Sequence, residues 1–201
     1  MAPNWDEESP KLRENLARVL NELVEAAQRR DRPTREQARR WQTLFMKGLG
    51  VPNPRFVGAF RGEPGLEHVQ VRVGANYGVD SLRVAEELTR FEEKLQSIVA
   101  ELDPLLPVGH EADSDERAAI LDLCAWAHAE WVRIHPFANG SGRTARLWAN
   151  SLALRYGLPP FVLLRPRPDA GYTHAGVKAM QGDWKPTAAV FRDMLDAFLK
   201  S

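Results

Sequence analysis

The chain has one cysteine, no excess of charge of either sign and no long apolar run. With Cys124 alone no internal disulfide can form, and its place in the pattern Ile120, Leu123, Cys124, Ala127 marks a small core residue rather than a catalytic thiol. Lys and Arg number 27, as do Asp and Glu. That balance removes the basic bias that draws proteins onto nucleic acid or anionic lipid, so any phosphate recognition has to be local. A bilayer span needs roughly 18 consecutive apolar residues, and no stretch approaches that length. The first ten residues are acidic and lack the basic and apolar portions of a secretory signal. The expectation is a cytoplasmic protein with neither nucleic acid nor membrane as partner. Internal repeats and low-complexity tracts are also missing, which excludes a solenoid.

What is present is helical spacing. The chain has 201 residues, 44% of them hydrophobic and 27% charged, enough for one substantial core. Leu12, Leu16, Val19, Leu20, Leu23, Val24 and Ala27 repeat at the period of an amphipathic helix over 10–30, and Arg29 to Pro33 ends it. Thr34 with Gln37 predicts a capping box for a second helix that Gly48 or Gly50 stops. Further periodic stretches are 81–102, closed by Asp103-Pro104, then 113–134 after an Asp113-x-x-Glu116 cap, 143–156, 172–180 and 186–199. The predicted fold is mainly α, with about seven helices. Residues 1–33 are expected to form an N-terminal helical segment packed on the core, and 34–201 a single globular unit.

One region breaks the pattern. Phe56 to Phe60 and Val69 to Val73 read as short extended pieces around a turn at Gly62 to Gly65, predicting a β-hairpin. It is either a surface hairpin without a role or an edge that can pair with a peptide main chain.

The chemistry concentrates in His135-Pro-Phe-Ala-Asn-Gly-Ser-Gly-Arg-Thr-Ala-Arg146. Gly140 and Gly142 let successive N–H groups converge on an anion, and the helix that follows favours negative charge at its N-terminus. Arg143 and Arg146 share one helical face, one turn apart. Gly140-x-Gly142-x-x-Ala145 also satisfies a dinucleotide fingerprint on paper, but that fingerprint needs a preceding strand and the pattern here is helical. A plain glycine-rich cap between two helices explains the glycines but not His135 and two arginines in one loop. An imidazole beside a phosphate cradle suits the deprotonation of a hydroxyl. His128, on the same helix, reads as a buried structural histidine, and His110 and His174 as solvated.

At these residues the chain resembles the Fic family, whose motif runs His-Pro-Phe-x-(Asp/Glu)-Gly-Asn-Gly-Arg-x-x-Arg. His135, Pro136, Phe137, Gly140, Gly142, Arg143 and Arg146 match; Asn139 replaces the acid and Ser141 the Asn. The likeness extends from about Thr34 to Phe198: Gly58-Ala-Phe-Arg61 with Val69 to Val73 resembles the family's flap, and Arg167, Tyr172, Gly182-Asp183 and Pro186 the segment closing its nucleotide pocket. The resemblance implies a Fic-type helical bundle with a hairpin flap and transfer of AMP from ATP, with Mg²⁺, to a Ser, Thr or Tyr hydroxyl of a target protein or of the chain itself. His135 would be the general base. Asn139, Gly140, Ser141, Gly142, Arg143, Arg146 and Tyr172 would hold the nucleotide, Asn139 would stand at the metal position, and Val69, Gln70 and Val71 would dock the target.

Met180 stands where related patterns have an Asn near the base, which leaves the nucleotide open to UMP, GMP or another phosphate-linked group. The substitutions at 139 and 141 also leave a weakened nucleotide- or protein-binding module as the alternative. A regulatory partner or a second copy of the chain fits either reading. Ser9 to Asn15 is similar to the family's inhibitory pattern (Ser/Thr)-x-x-x-Glu-(Gly/Asn), with one residue too many. An inhibitory Glu14 would pair with Arg146; otherwise Glu14 lies in the first turn of an N-capped helix.

Overall fold

A computed structural model describes residues 9–165, 168 and 170–200. Seven helices follow in order: α1 Pro10–Arg29, α2 Arg35–Met46, α3 Val84–Leu105, α4 Ser114–Ile134, α5 Ser141–Arg155, α6 Ala170–Met180 and α7 Lys185–Leu199. Between α2 and α3 runs a two-stranded antiparallel hairpin, β1 Arg72–Val73 with β2 Asn76–Tyr77, in register Arg72 to Tyr77 and Val73 to Asn76. None of the described helices is long and apolar enough to cross a membrane.

The caps lie where local chemistry puts them. Asp113 accepts at 2.9 Å from the N–H groups of Asp115 and Glu116, and Glu116 returns the bond to the Asp113 N–H at 2.9 Å. Gln37 accepts from the Thr34 N–H at 2.9 Å in the same sense. Each such cap stabilises its helix by about 1 kcal/mol.

Helix α4 is the centre of the bundle, packing against α3, α5, α6 and α7, while α1 lies across α2 and α5. Buried residues surround α4 on every side, including Ile120, Cys124, Ala127, His128, Trp131 and Ile134. Burial pushes the Cys124 thiol far above its ordinary range, so it is chemically inert. Beneath the α4–α5 loop sits an aromatic cluster. Trp148 contacts Trp41, Phe91 and Trp131 at centroid distances of 4.8, 5.7 and 5.8 Å, and Phe60 meets the loop's own Phe137 at 4.8 Å. Phe137 and Trp131 are wholly buried; the loop is anchored by this packing, with each edge-to-face pair adding about 1 kcal/mol beyond area burial.

Two sequence expectations are corrected. The hairpin is not Phe56 to Phe60 against Val69 to Val73. Pro54–Phe56 is a 3₁₀ turn, and Phe60 and Leu66 are pulled into the interior by a tight turn in which Leu66 N–H bonds Glu63 O and Gly62 N–H bonds Leu66 O. The pairing moves on to residues 72–77, where Gly74, at φ 61°, takes the first of two loop positions as short hairpins favour. Asp103-Pro104 likewise fails to close the third helix. α3 begins after a 3₁₀ turn at Ser81–Arg83 and runs to Leu105 with Pro104 in its last turn. There the Asp103 carboxylate is held by Arg155 Nε at 2.9 Å and by the Tyr156 hydroxyl at 3.1 Å, so burial and bonding extend the helix through a residue that ends most others.

Candidate active site

The site is the joint between α4 and α5. α4 ends at Ile134 and is capped by His135, which adopts the left-handed conformation at φ 51° and ψ 58°, a geometry costing a non-glycine residue about 1–2 kcal/mol. Its Nδ1 lies 3.2 Å from the Val132 carbonyl, which can only accept; Nδ1 therefore carries the proton and Nε2 is left with its lone pair. Burial depresses the imidazole pKa to about 4; the Val132 carbonyl opposes it, and the nearby Arg61 charge adds a lesser lowering. At neutral pH the ring is therefore neutral, with Nε2 as its acceptor nitrogen.

Gly140 caps α5 at φ 95°, and a Cβ there would lie 2.7 Å from Phe45 Cζ. From α2, the buried Gln42 spans the same region, donating to Asn139 O at 3.2 Å and to Phe56 O at 2.9 Å while accepting from the Gly58 N–H at 2.6 Å. Thr144 Oγ1 accepts from Trp131 Nε1 at 2.7 Å and binds α5 to α4. α5 starts at Ser141, two residues earlier than its periodicity suggests, so Gly142 lies within its first turn. The N–H groups of a first turn have no acceptor within the helix, and the helix dipole adds to their pull on an anion.

The side chains expected to bind a nucleotide divide into two groups. Arg143 and Arg146 are both nearly buried at the start of α5. Arg146 Nη2 donates to Leu164 O at 3.2 Å and Nη1 reaches the Tyr172 hydroxyl at 3.4 Å, while its buried Nε has no acceptor; among the described residues no carboxylate pairs with it. Arg143 Nη2 donates to Asn139 Oδ1 at 3.0 Å, and its guanidinium lies over the Phe45 ring at 5.1 Å. Ser141 faces inward: its hydroxyl accepts from Phe137 N–H at 3.0 Å and lies 3.2 Å from Phe137 O. That side chain closes the loop on itself. Tyr172 is 4% exposed, with its hydroxyl 2.7 Å from His128 Nε2; it supports Arg146 from below and offers no ring face for a base to stack on. Burial, helped by the Arg146 charge, holds the His128 pKa down to about 3, so this histidine is a neutral structural residue.

The structure does not bring Glu14 to Arg146. Glu14 lies on the outer face of α1, half exposed, paired with Lys11 at 3.1 Å and with Arg18. The inward residue of that turn is Asn15, which donates to Phe45 O at 3.2 Å and Lys47 O at 2.7 Å. Arg167 lies outside the described residues. Val69, Gln70 and Val71 enter β1 without belonging to it: the Val69 carbonyl is taken by Arg61 and the Val71 carbonyl by Gly78 N–H, while the exposed Gln70 keeps both main-chain groups unbonded among the described residues.

Sequence reading missed Gln42 and the organising role of Arg61. The signal for Gln42 was a polar residue inside the apolar stripe Ala38, Trp41, Phe45; an amide there has to find partners, and it finds the loop.

A Fic/DOC family model matches residues 32–153, from before α2 to near the end of α5. The chain belongs to the Fic/DOC family. Among curated proteins, this Fic chain is 31% identical over 156 residues to "Protein adenylyltransferase Fic" of Drosophila grimshawi, covering 78% of the chain and 28% of the fly protein. It is 32% identical over the same length to the Drosophila erecta protein of that name, covering 27% of it. The chain thus spans little more than a quarter of these relatives. Its fold matches a Fic domain containing signaling protein from Bacteroides thetaiotaomicron, with TM-score 0.64 and 18% identity, over 92% of this chain and 68% of that one. It also matches BepC from Bartonella tribocorum, solved with AMPPNP bound, with TM-score 0.58 and 18% identity, over 92% and 86%. The mainly helical bundle with a hairpin is the Fic fold.

Proposed function

We propose that this chain is a protein nucleotidyltransferase that moves AMP from ATP onto a Ser, Thr or Tyr hydroxyl of a target protein. The observation that carries the reading is Arg146, a guanidinium 6% exposed with no carboxylate partner among the described residues, at a helix start adjoining a neutral histidine. A buried uncompensated charge costs several kcal/mol, and an anion entering the site recovers that cost. The fly relatives named adenylyltransferase and the AMPPNP-bound neighbour indicate which anion.

His135 Nε2 takes the proton of the target hydroxyl as its oxygen forms a bond to the α-phosphorus, and the bond to the β-phosphate bridging oxygen breaks to release pyrophosphate. Arg143, Arg146 and the first-turn N–H groups of α5 hold the phosphates and offset the charge developing on them. Gln70, exposed and unbonded along its main chain, offers a target strand its pairing point next to Val71, whose carbonyl bonds the N–H of Gly78, the residue that lies against His135.

The residues do not fit Mg²⁺. That ion favours carboxylate ligands, Asn139 supplies a neutral amide, and its oxygen is engaged by the cationic Arg143 at 3.0 Å. Among the described residues no three of His, Cys, Asp and Glu gather as a metal site. Asn139→Asp is expected to raise transfer at millimolar Mg²⁺ several-fold and to make it sensitive to chelator. Equal rates for the two proteins with and without Mg²⁺ would show that position 139 serves Arg143 alone.

The test of the function is incubation with α-labelled ATP, UTP, GTP and CTP, followed by detection of label on the chain or on lysate proteins. Label from ATP that disappears in the His135→Ala variant supports the reading. Nucleotide binding without transfer under every metal would favour a binding module instead.

The histidine also sets the pH dependence. Because its pKa is depressed to about 4, the base form persists as pH falls, and kcat/KM is expected to stay level to about pH 5 and decline through pH 4. Stability follows the same sign. His128, at about 3, and His135 refuse protons that the unfolded chain accepts near 6.5, so stability falls as pH drops below 6.5. Rates normalised to the folded fraction by circular dichroism separate the effects; an acid limb remaining near 6.5 would contradict the assignment.

A further inference from the structure

Arg61 is 1% exposed, and its side chain has no ion pair among the described residues. Burial pushes its pKa down to about 10, with Asp80 only partly offsetting this. The guanidinium bonds four main-chain carbonyls. Nε donates to His135 O at 2.7 Å, Nη1 to Val69 O at 3.1 Å, and Nη2 to Val79 O at 2.7 Å and Ile134 O at 2.9 Å. Its own N–H bonds Pro136 O at 2.7 Å. One residue therefore takes the carbonyls of 134, 135 and 136 on one side and those at both ends of the hairpin segment, 69 and 79, on the other.

Each contact has a local reason. The last carbonyls of α4 have no intrahelical donor, and His135, in its left-handed conformation, aims its carbonyl out of the helix axis. A planar fork of five donors can serve several such acceptors at once; an ammonium, with three donors on a flexible stem, cannot reproduce the spread. A second feature brings the same surfaces together. A Cβ at Gly78 would lie 2.8 Å from His135 Cβ, 3.0 Å from Arg61 Nη2 and 3.1 Å from Val71 Cγ2, so only glycine lets the hairpin's return strand lie against the histidine.

We propose that Arg61 is a positioning residue that ties the hairpin segment to the backbone of His135 and so fixes the distance between a docked target strand and the base. The inference rests on the nucleotidyltransferase reading and extends it, since it assigns the flap's placement to a residue that touches neither nucleotide nor target. The acceptors at 69 and 79 bracket Gln70, the pairing point, so loss of the clamp shifts the strand and the histidine relative to each other. The phosphate-binding arginines, carried by α5, stay in place.

Three proteins test it: Arg61→Lys, which keeps the charge and loses the fork; Arg61→Met, which loses both; and Gly78→Ala, whose methyl pushes the hairpin off His135 and Arg61. Single-turnover transfer is expected to fall about 100-fold in Arg61→Lys and 10-fold or more in Gly78→Ala, with the ATP Kd unchanged within twofold by calorimetry. The His135 imidazole, followed by NMR, is expected to titrate higher in Arg61→Met than in the other two, because that variant removes the Arg61 charge, the lesser of the two effects that lower it, burial being the larger. Wild-type rates in folded Arg61→Lys and Gly78→Ala, or a parallel loss of ATP affinity and rate, would overturn the proposal. If the wild-type chain transfers no nucleotide, the activity reading fails by itself. The clamp is then judged by the NMR titration and by amide exchange at residues 69–79, which is expected to rise in Arg61→Lys; unchanged exchange and titration would overturn it.

Discussion

Replacing His135 by alanine is expected to lower nucleotidyl transfer by about 10²–10⁴-fold, the usual contribution of a positioned general base, while ATP affinity changes less than threefold. The split follows from where the parts sit. The groups proposed to bind phosphate are on α5 and the imidazole is on His135, the cap that follows Ile134 at the end of α4, so deleting the ring leaves Arg143, Arg146 and the first turn intact. Because position 135 has φ 51°, His135→Asn is the better companion variant: Asn tolerates the left-handed region and preserves the cap. Both variants are expected to bind ATP in calorimetry and to show no label above background. Transfer within tenfold of wild type in either one would remove His135 from the role of base.

Gly140→Ala is expected to cost about 2–5 kcal/mol. A left-handed conformation costs an alanine about 1–2 kcal/mol, and forcing a methyl to 2.7 Å from Phe45 Cζ in a packed interior adds about 1–3 kcal/mol. For a domain of this size the melting temperature should drop by about 5–15 °C, with nucleotide binding lost as the start of α5 turns. Gly142→Ala is expected to do the reverse. Gly142 is helical, and an added Cβ would meet only Arg146 Nη1, at 3.8 Å, so alanine should stabilise the helix by about 0.5–1 kcal/mol. It should nevertheless weaken ATP binding, because the methyl occupies the approach to the first-turn N–H groups. Thermal denaturation with calorimetry on the pair checks both signs. Equal destabilisation by the two substitutions would mean that Gly142 serves the fold and not an anion.

Helices carrying both a cap and a full apolar stripe were legible in the sequence. Asp113 with Glu116 and Thr34 with Gln37 mark the starts of α4 and α2, because a cap is a local interaction between residues three apart. The gathering of Gly140, Gly142, Arg143 and Arg146 at the start of α5 was legible for the same reason, as these residues are contiguous. The hairpin was not. Alternation over Val69 to Val73 fixes a face but not a partner, and the partner was decided by Phe60 and Arg61 leaving for the interior. Ser141 and Tyr172 were assigned to the nucleotide because of where they fall in the motif; their inward orientation depends on the Phe137 backbone and on His128, the latter 44 residues away in the chain. Arg61 bonding Ile134 and His135 across more than 70 positions is the same kind of fact, set by tertiary geometry alone.

The family match begins at residue 32, yet α1 lies before it and packs along α5. Leu12, Leu16, Val19 and Leu23 are almost completely buried, and Asn15 ties the end of α2 in place. The helix that carries Arg143 and Arg146 is thus gripped from behind by a segment that lies outside the family match. The rigidity of the start of α5 is in part borrowed, and a force or ligand that lifted α1 would reach the proposed chemistry through the back of α5 without ever entering the site.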